Sequence, residues 1–202
     1  MVLAMDNFKP EIVSEDGQIE RALIQAFAGP ATLHTHAHNT KKFEISILSV
    51  YNRPANGLAC LGTIGLWRTS LLSHQDSHPA RLELFGIFAA DKVGCRDMLA
   101  SAAFRVMRTR EHIDPGTVFL DYVHAWYPKA TAAHLYFAEP GRLHAIQFDE
   151  IRMGNLGVRF LELIPITPSE HDYLLQHGAD ALEAALLGSA ADLTDLKRNS
   201  AV

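Results

Sequence analysis

The sequence predicts an α+β protein: one domain spanning residues 1–202, in which a mixed or largely antiparallel sheet is flanked by helices. Two observations carry this. Segments with strand character arrive in runs joined by turn residues, rather than alternating singly with helices as in a doubly wound sheet. Separating those runs are a few segments whose apolar residues recur at the helical period.

Taken in order, Ser14 is placed to cap a helix in which Ile19, Leu23 and Phe27 recur every fourth residue, and Gly29-Pro30 stops it. Residues 31–38 alternate in character. In 43–51, Phe43, Ile45 and Ile47 alternate with Glu44 and Ser46, the pattern of a strand with one wet face at its start. Arg53 to Gly57 is a turn with Asn-Gly chemistry, so 58–67 returns as the second arm of a hairpin. Gly62 and Gly65 within that arm point to a bulge or a close backbone approach. A polar loop covers 70–80, and Arg81–Ala89 is another strand.

Asp91 is placed to cap the next helix. There Cys95, Met98, Leu99, Ala102 and Val106 share one face while Arg96, Asp97, Ser101 and Arg105 face outward. After the turn Asp114-Pro115-Gly116, strands are expected over 117–126, 134–138 and 143–148, the last two joined through Glu139-Pro140-Gly141. A further strand covers 159–166, where Pro165 requires a sheet edge or a strand end. Thr167-Pro168-Ser169-Glu170 is a capping box with proline at the first helical position, opening a helix that Gly178 ends. A last helix runs from Asp180 to Gly188. From about residue 189 a polar tail, with Leu193 and Leu196 as its only large apolar side chains, either docks or frays.

Composition narrows the function. A 48% hydrophobic and 20% charged chain belongs with folded globular domains and not with disordered ones. Net charge is −5, and no basic cluster exceeds Lys41-Lys42 or the spaced Arg105, Arg108 and Arg110, so nucleic-acid binding lacks its electrostatic driving force. Two cysteines, Cys60 and Cys95, sit in apolar patterns and read as buried thiols, not a disulfide framework. Met1 to Pro10 has no apolar signal-peptide core, and no stretch is long enough to span a membrane. A cytoplasmic location is expected.

The search for chemistry finds little. His34, His36 and His38 share one face if extended, and His34 with His36 could share a metal ion given a further ligand such as His74 or His78. The alternative is histidines on a partly wet strand. The acid-histidine clusters at 111–114 and 169–172 point their neighbours in different directions. Serines 70, 73 and 77 lack a nucleophile elbow, and the Gly-x-x-Gly pairs match no phosphate loop. No catalytic residue and no cofactor is implied, which points to a protein that binds another protein. Net acidity favours a partner with a basic face. The surface for it would join acidic residues to aromatic anchors: Asp121, Tyr122 and Trp126, with Glu83, Asp149 and Glu150 as further acidic sites. The favoured reading of Tyr122 and Trp126 is core, since both lie at even spacing on one strand face with His124 between them.

The closing third carries a resemblance. Leu161 to Thr167 ends in Ile-Pro-Ile-Thr and leads into Glu170, then His177-Gly178-Ala179-Asp180-Ala181-Leu182, and the chain finishes with Arg198-Asn199-Ser200-Ala201-Val202. This resembles the closing segment of the suppressor-of-fused domain. Phe27 to Pro30, His34, Thr63 to Leu66 and Leu82-Glu83-Leu84 agree more loosely. Departures are Glu44 where the family pattern has Asp, Ala28 inserted before Gly29, and no second domain of the kind the animal protein has. The resemblance implies a non-catalytic protein-binding module. For single-domain bacterial members it implies an immunity protein that neutralises a polymorphic toxin. The animal regulator, which sequesters a transcription factor partly by pairing with a peptide strand, implies instead an intracellular regulator or adaptor. A metal-dependent enzyme is the reading the histidine run would support.

Overall fold

Strand character in runs produces one open sheet. The computed structural model describes residues 14–37, 43–71 and 81–202. Among them the elements are α1 (Glu15–Phe27), β1 (Ala31–Ala37), β2 (Glu44–Tyr51), β3 (Leu58–Ile64), β4 (Arg81–Ala89), α2 (Cys95–Thr109), β5 (Val118–Phe119), β6 (His134–Ala138), β7 (Ile151–Met153), β8 (Leu156–Ile166), α3 (Pro168–His177) and α4 (Ala179–Gly188). The sheet order is β1-β2-β3-β4-β8-β6-β5, with β7 also paired to β8. β4 and β8 run parallel and the other pairs antiparallel, so the sheet is mixed and the fold α+β as expected.

Alternation along the strands sorts the core onto two faces. Ile45, Ile47, Leu61, Leu84, Leu135, Phe137 and Leu163 meet the apolar face of α2. On the other face Leu48, Val50, Cys60, Phe85 and Phe160 meet α1, and Tyr136, Ile164 and Ile166 meet α4. α1 lies very close to β3: a Cβ on Gly62 would stand 2.4 Å from Leu23 Cδ2, the close approach the glycine foretold.

Three local expectations are corrected. α2 is capped by Gly94 with φ 101° and no side-chain hydrogen bond, so Asp91 is not its cap. The strand expected over 117–126 stops at Phe119. Asp121 takes a left-handed φ of 52°, and the chain then turns, with Val123 N–H donating to Ala133 O at 2.9 Å and Tyr127 N–H to Val123 O at 2.8 Å. Residues 143–148 form no strand either. Leu143 and Ile146, three apart, are both buried, and Phe148 stacks on Phe160 with ring centroids 3.9 Å apart. That spacing fixes the segment against a sheet face and not within the sheet. Pro165 falls near the end of β8, beyond the last residue paired to β4, where its missing N–H costs no β4–β8 bond.

The tail packs. Leu193, Thr194, Leu196 and Arg198 are buried, and Thr131 N–H donates to Leu196 O at 2.8 Å. The capping box of α3 is complete: Glu170 N–H donates to Thr167 Oγ1 at 3.2 Å, and Thr167 N–H to Glu170 Oε2 at 2.8 Å. Thr167→Ala should therefore lower stability by about 0.5–2 kcal/mol. The urea midpoint should fall at constant slope, and an unmoved midpoint would show that the cap contributes nothing.

Candidate protein-binding surface

The outward stripe of α2 is the floor of the most feature-rich surface. Asp97, Ser101, Phe104, Arg105 and Arg108 recur at helical spacing and line an open cleft of about 850 Å³. The end of β1 forms one wall, with Thr35 and His36. The turn after β5 forms the other, with Tyr122 and Trp126. Tyr122 Oη donates to Ser101 Oγ at 2.9 Å, and burial raises its pKa above the usual tyrosine range. Trp126 is 37% exposed, so it is a surface aromatic and not a core one. Tyr122 is anchored by Ser101, whereas the core reading fails for Trp126, which is partly exposed.

The guanidinium of Arg105 lies over the Phe119 ring, 3.8 Å from its centroid. Neither Arg105 nor Arg108 forms an ion pair among the described residues. Arg68, Arg142, Arg152, Arg159 and Arg198 do, and Arg21, Arg53, Arg81, Arg96 and Arg110 do not. His36 Nδ1 stands 3.5 Å from Asp97, its Nε2 is buried without a hydrogen-bond partner, and burial depresses its pKa.

Beside the cleft, β1 is a sheet edge. Among the described residues it pairs with β2 on one side only, and six of its seven residues are exposed, Leu33 at 50%. It has no lysine, acid, proline or bulge, the usual means of blunting an edge.

The acidic residues named from sequence do not gather around the aromatics. Asp121 is exposed next to Tyr122; its N–H donates to His134 Nδ1 at 2.9 Å, and its carboxylate lies 3.6 Å from that ring. Asp149 and Glu150 sit on the opposite side of the sheet, on the segment whose Ile146 and Phe148 pack with α1, and Glu150 pairs with Arg152 at 2.9 Å. Glu83 is a correction: it is fully buried on β4 and presents nothing to a partner. It accepts from Gly65 N–H at 2.7 Å and Trp67 N–H at 3.2 Å and meets Thr63 Oγ1. Gly65 takes φ 113° to turn its N–H inward.

His34 and His36 do share a face of β1, opposite Ile47 and Ile45. His38, His74 and His78 lie outside the described residues. Among the described residues no group of three or more His, Cys, Asp or Glu is placed to hold a metal ion, and no helix is long and apolar enough to cross a membrane.

Sequence reasoning missed Arg105 and Arg108 as site residues. Their outward position was legible from the period of α2, but nothing local marks that Tyr122 and Trp126, over a dozen residues on, close over the same stripe.

Charge differs between the two sides of the sheet. On the side of α1, α3 and α4, Glu15, Glu20 and Asp172 form no ion pair among the described residues, whereas Asp16, Glu170, Asp180 and Glu183 are paired with Arg68, Arg198 and Arg142. On the other side α2 carries three arginines against Asp97, and Arg105 and Arg108 line the cleft.

Comparison with known proteins identifies the family. A family model described as Suppressor of fused protein (SUFU) matches residues 41–199. The immunity protein YqcF of Bacillus subtilis (strain 168) is 25% identical over 191 residues, covering 95% of this chain and 99% of that protein. Among solved structures, a suppressor of fused homolog from Neisseria gonorrhoeae FA 1090 superposes with a TM-score of 0.70 at 17% identity, covering 93% of this chain and 96% of the other. A chain of the Sufu-Fu complex superposes with a TM-score of 0.64 at 12% identity, covering 91% of each.

Proposed function

This chain belongs to the suppressor of fused family, and from that premise we propose that it is a non-catalytic immunity protein that binds and neutralises a cognate toxin. The observation that carries the reading is the likeness to an immunity protein over 191 residues, 95% of this chain and 99% of that protein. The site chemistry agrees. An aromatic, arginine-bearing cleft and a bare strand edge are recognition features, and they hold no paired nucleophile and base.

A toxin with a basic face would meet the unpaired acids Glu15, Glu20 and Asp172 on the side of α1 and α3. Co-expression with the toxin encoded in a neighbouring reading frame tests the role: growth is expected with this chain and arrest without it. Arrest in both cases would reject it. The association rate of the purified pair should fall steeply from low to high salt if opposite charges steer the encounter, and a flat dependence would reject the basic-face element alone.

The unblunted β1 edge favours a second reading, an adaptor that captures a peptide strand by extending the sheet. Leu33→Lys, which places a charge on that edge, separates the two. It should abolish strand capture and leave neutralisation through the α1 and α3 side intact.

A further inference from the structure

We propose that the cleft over α2 docks an acidic, extended segment of the protein partner, with one aromatic or aliphatic side chain of that segment seated beside Trp126. The proposal rests on the protein-binding reading and adds the chemistry of what is bound.

The inference starts from the arginines. Arg105 and Arg108 stand one helical turn apart, line the same cleft and form no ion pair among the described residues, so both guanidiniums are available to carboxylates of a partner. Arg21, Arg53, Arg81, Arg96 and Arg110 form none either, and it is the cleft shared with Tyr122 and Trp126 that sets this pair apart. Arg105 is moreover held over the Phe119 ring, so its fork is oriented before any partner arrives and less entropy is lost on binding. Asp97, the only carboxylate lining the cleft among the described residues, lies at its β1 end beside His36 and leaves the arginine end positive.

The rest of the lining selects a protein segment over other anions. Trp126, Tyr122 and two arginines are the residue types that dominate binding energy at protein interfaces. Tyr122 is locked by Ser101, and Trp126 leaves over a third of its surface exposed, giving a rigid aromatic wall for an apolar side chain. About 850 Å³ is room for several residues and more than a single side chain or a small anion needs. Nucleic acid would need a wider positive field than two arginines supply on a chain of net charge −5.

The two tryptophans provide the test. Trp67 is buried on the α1 side of the sheet, with its indole N–H donating to Asp16 at 2.9 Å, so it is an internal reference for Trp126. The probes are capped pentapeptides, Glu-Leu-Glu-Phe-Glu and its counterpart Lys-Leu-Lys-Phe-Lys, titrated into the ¹⁵N-labelled protein. The acidic peptide should shift the Trp126 indole signal and leave Trp67 in place, and the lysine peptide should shift neither. Arg105→Glu with Arg108→Glu should weaken the acidic peptide at least tenfold while the remaining spectrum is retained. Arg108→Ala, which removes no ion pair seen among the described residues, serves if the double variant does not fold, and should weaken it severalfold. An unmoved Trp126, an equal response to both peptides, or undiminished binding to the variants would overturn the proposal. Wild type failing to neutralise the toxin would reject the immunity reading, with the cleft then judged on the peptides alone.

Discussion

Replacing Arg198 by alanine is expected to destabilise the protein by about 3–5 kcal/mol, the cost of stranding one member of a buried ion pair. The Arg198 and Glu170 side chains are 3% and 0% exposed. Arg198 Nη2 donates to Glu170 Oε2 at 2.7 Å and to Pro165 O at 3.1 Å, and Nη1 donates to Glu170 Oε1 and to Asn199 O. The same carboxylate accepts the N–H groups of Thr167 and Ala201, both at 2.8 Å. One buried acid therefore ties together the end of β8, the first turn of α3 and the last residues of the chain. Alanine at 198 leaves it with two backbone donors and no counter-charge. Against a typical total of about 5–15 kcal/mol the loss is large, and the urea midpoint should drop accordingly at constant slope. Burial alone would raise the pKa of Glu170, but Arg198 and the two N–H groups outweigh it and hold the carboxyl below the usual range. Its contribution is thus present above the unfolded value and lost as pH falls through the lower, folded one. Arg198→Ala should remove that acid-side loss. A midpoint within error of wild type would show that the tail is not locked by this pair.

The second large effect concerns Glu83. Complete burial pushes its carboxyl up to about 8, only partly offset by hydrogen bonds from Thr63, Trp67 and Gly65. Near neutral pH the group is then mostly protonated. Thr63 Oγ1 donates to Glu83 Oε2, lies 3.2 Å from Leu84 O and accepts from Leu84 N–H at 2.8 Å. Because the folded pKa is raised, the stabilisation is complete below about pH 4.5 and declines as pH rises through 8. Between those values the unfolded chain is ionised and the folded one is not. Glutamine can satisfy the same partners: its carbonyl can accept from Gly65 and Trp67, and its amide can donate to Thr63. Glu83→Gln should match wild type near pH 4 and exceed it at pH 9 by on the order of 4 kcal/mol. Parallel stability curves for the two proteins across that range would contradict the assignment of a neutral, structural Glu83.

Glu83 also shows where sequence reading ran out. An acidic residue between Leu82 and Leu84 on an alternating strand looks as if it faces solvent, because the residues that bury it, Gly65 and Trp67, sit across a turn. Elements with local signals were legible. Ile19, Leu23 and Phe27 announced α1, Cys95 to Val106 announced α2, and Thr167 with Glu170 announced the cap of α3. Segments held by distant partners were not. The aromatic content of 117–126 suggested a strand, but Asp121 turns left-handed and Val123 bonds to Ala133 instead. Only the fold explains why the motifs that carried the family resemblance belong together. Pro165, Thr167, Glu170, Arg198 and Ser200 are one hydrogen-bonded lock, with Ser200 Oγ 3.2 Å from Thr167 Oγ1. They report stability and not the binding surface, so the resemblance could name a family and leave the cleft unseen.

Titration of the purified cognate toxin with this protein, reading residual toxin activity, tests the central claim most directly. A non-catalytic immunity protein should remove activity in linear proportion and reach completion at one equivalent, with a complex of matching stoichiometry in light scattering. Loss of toxin activity at a small fraction of an equivalent, growing with time, would mean turnover, and full activity in the presence of excess protein would mean no recognition. Either result would contradict it.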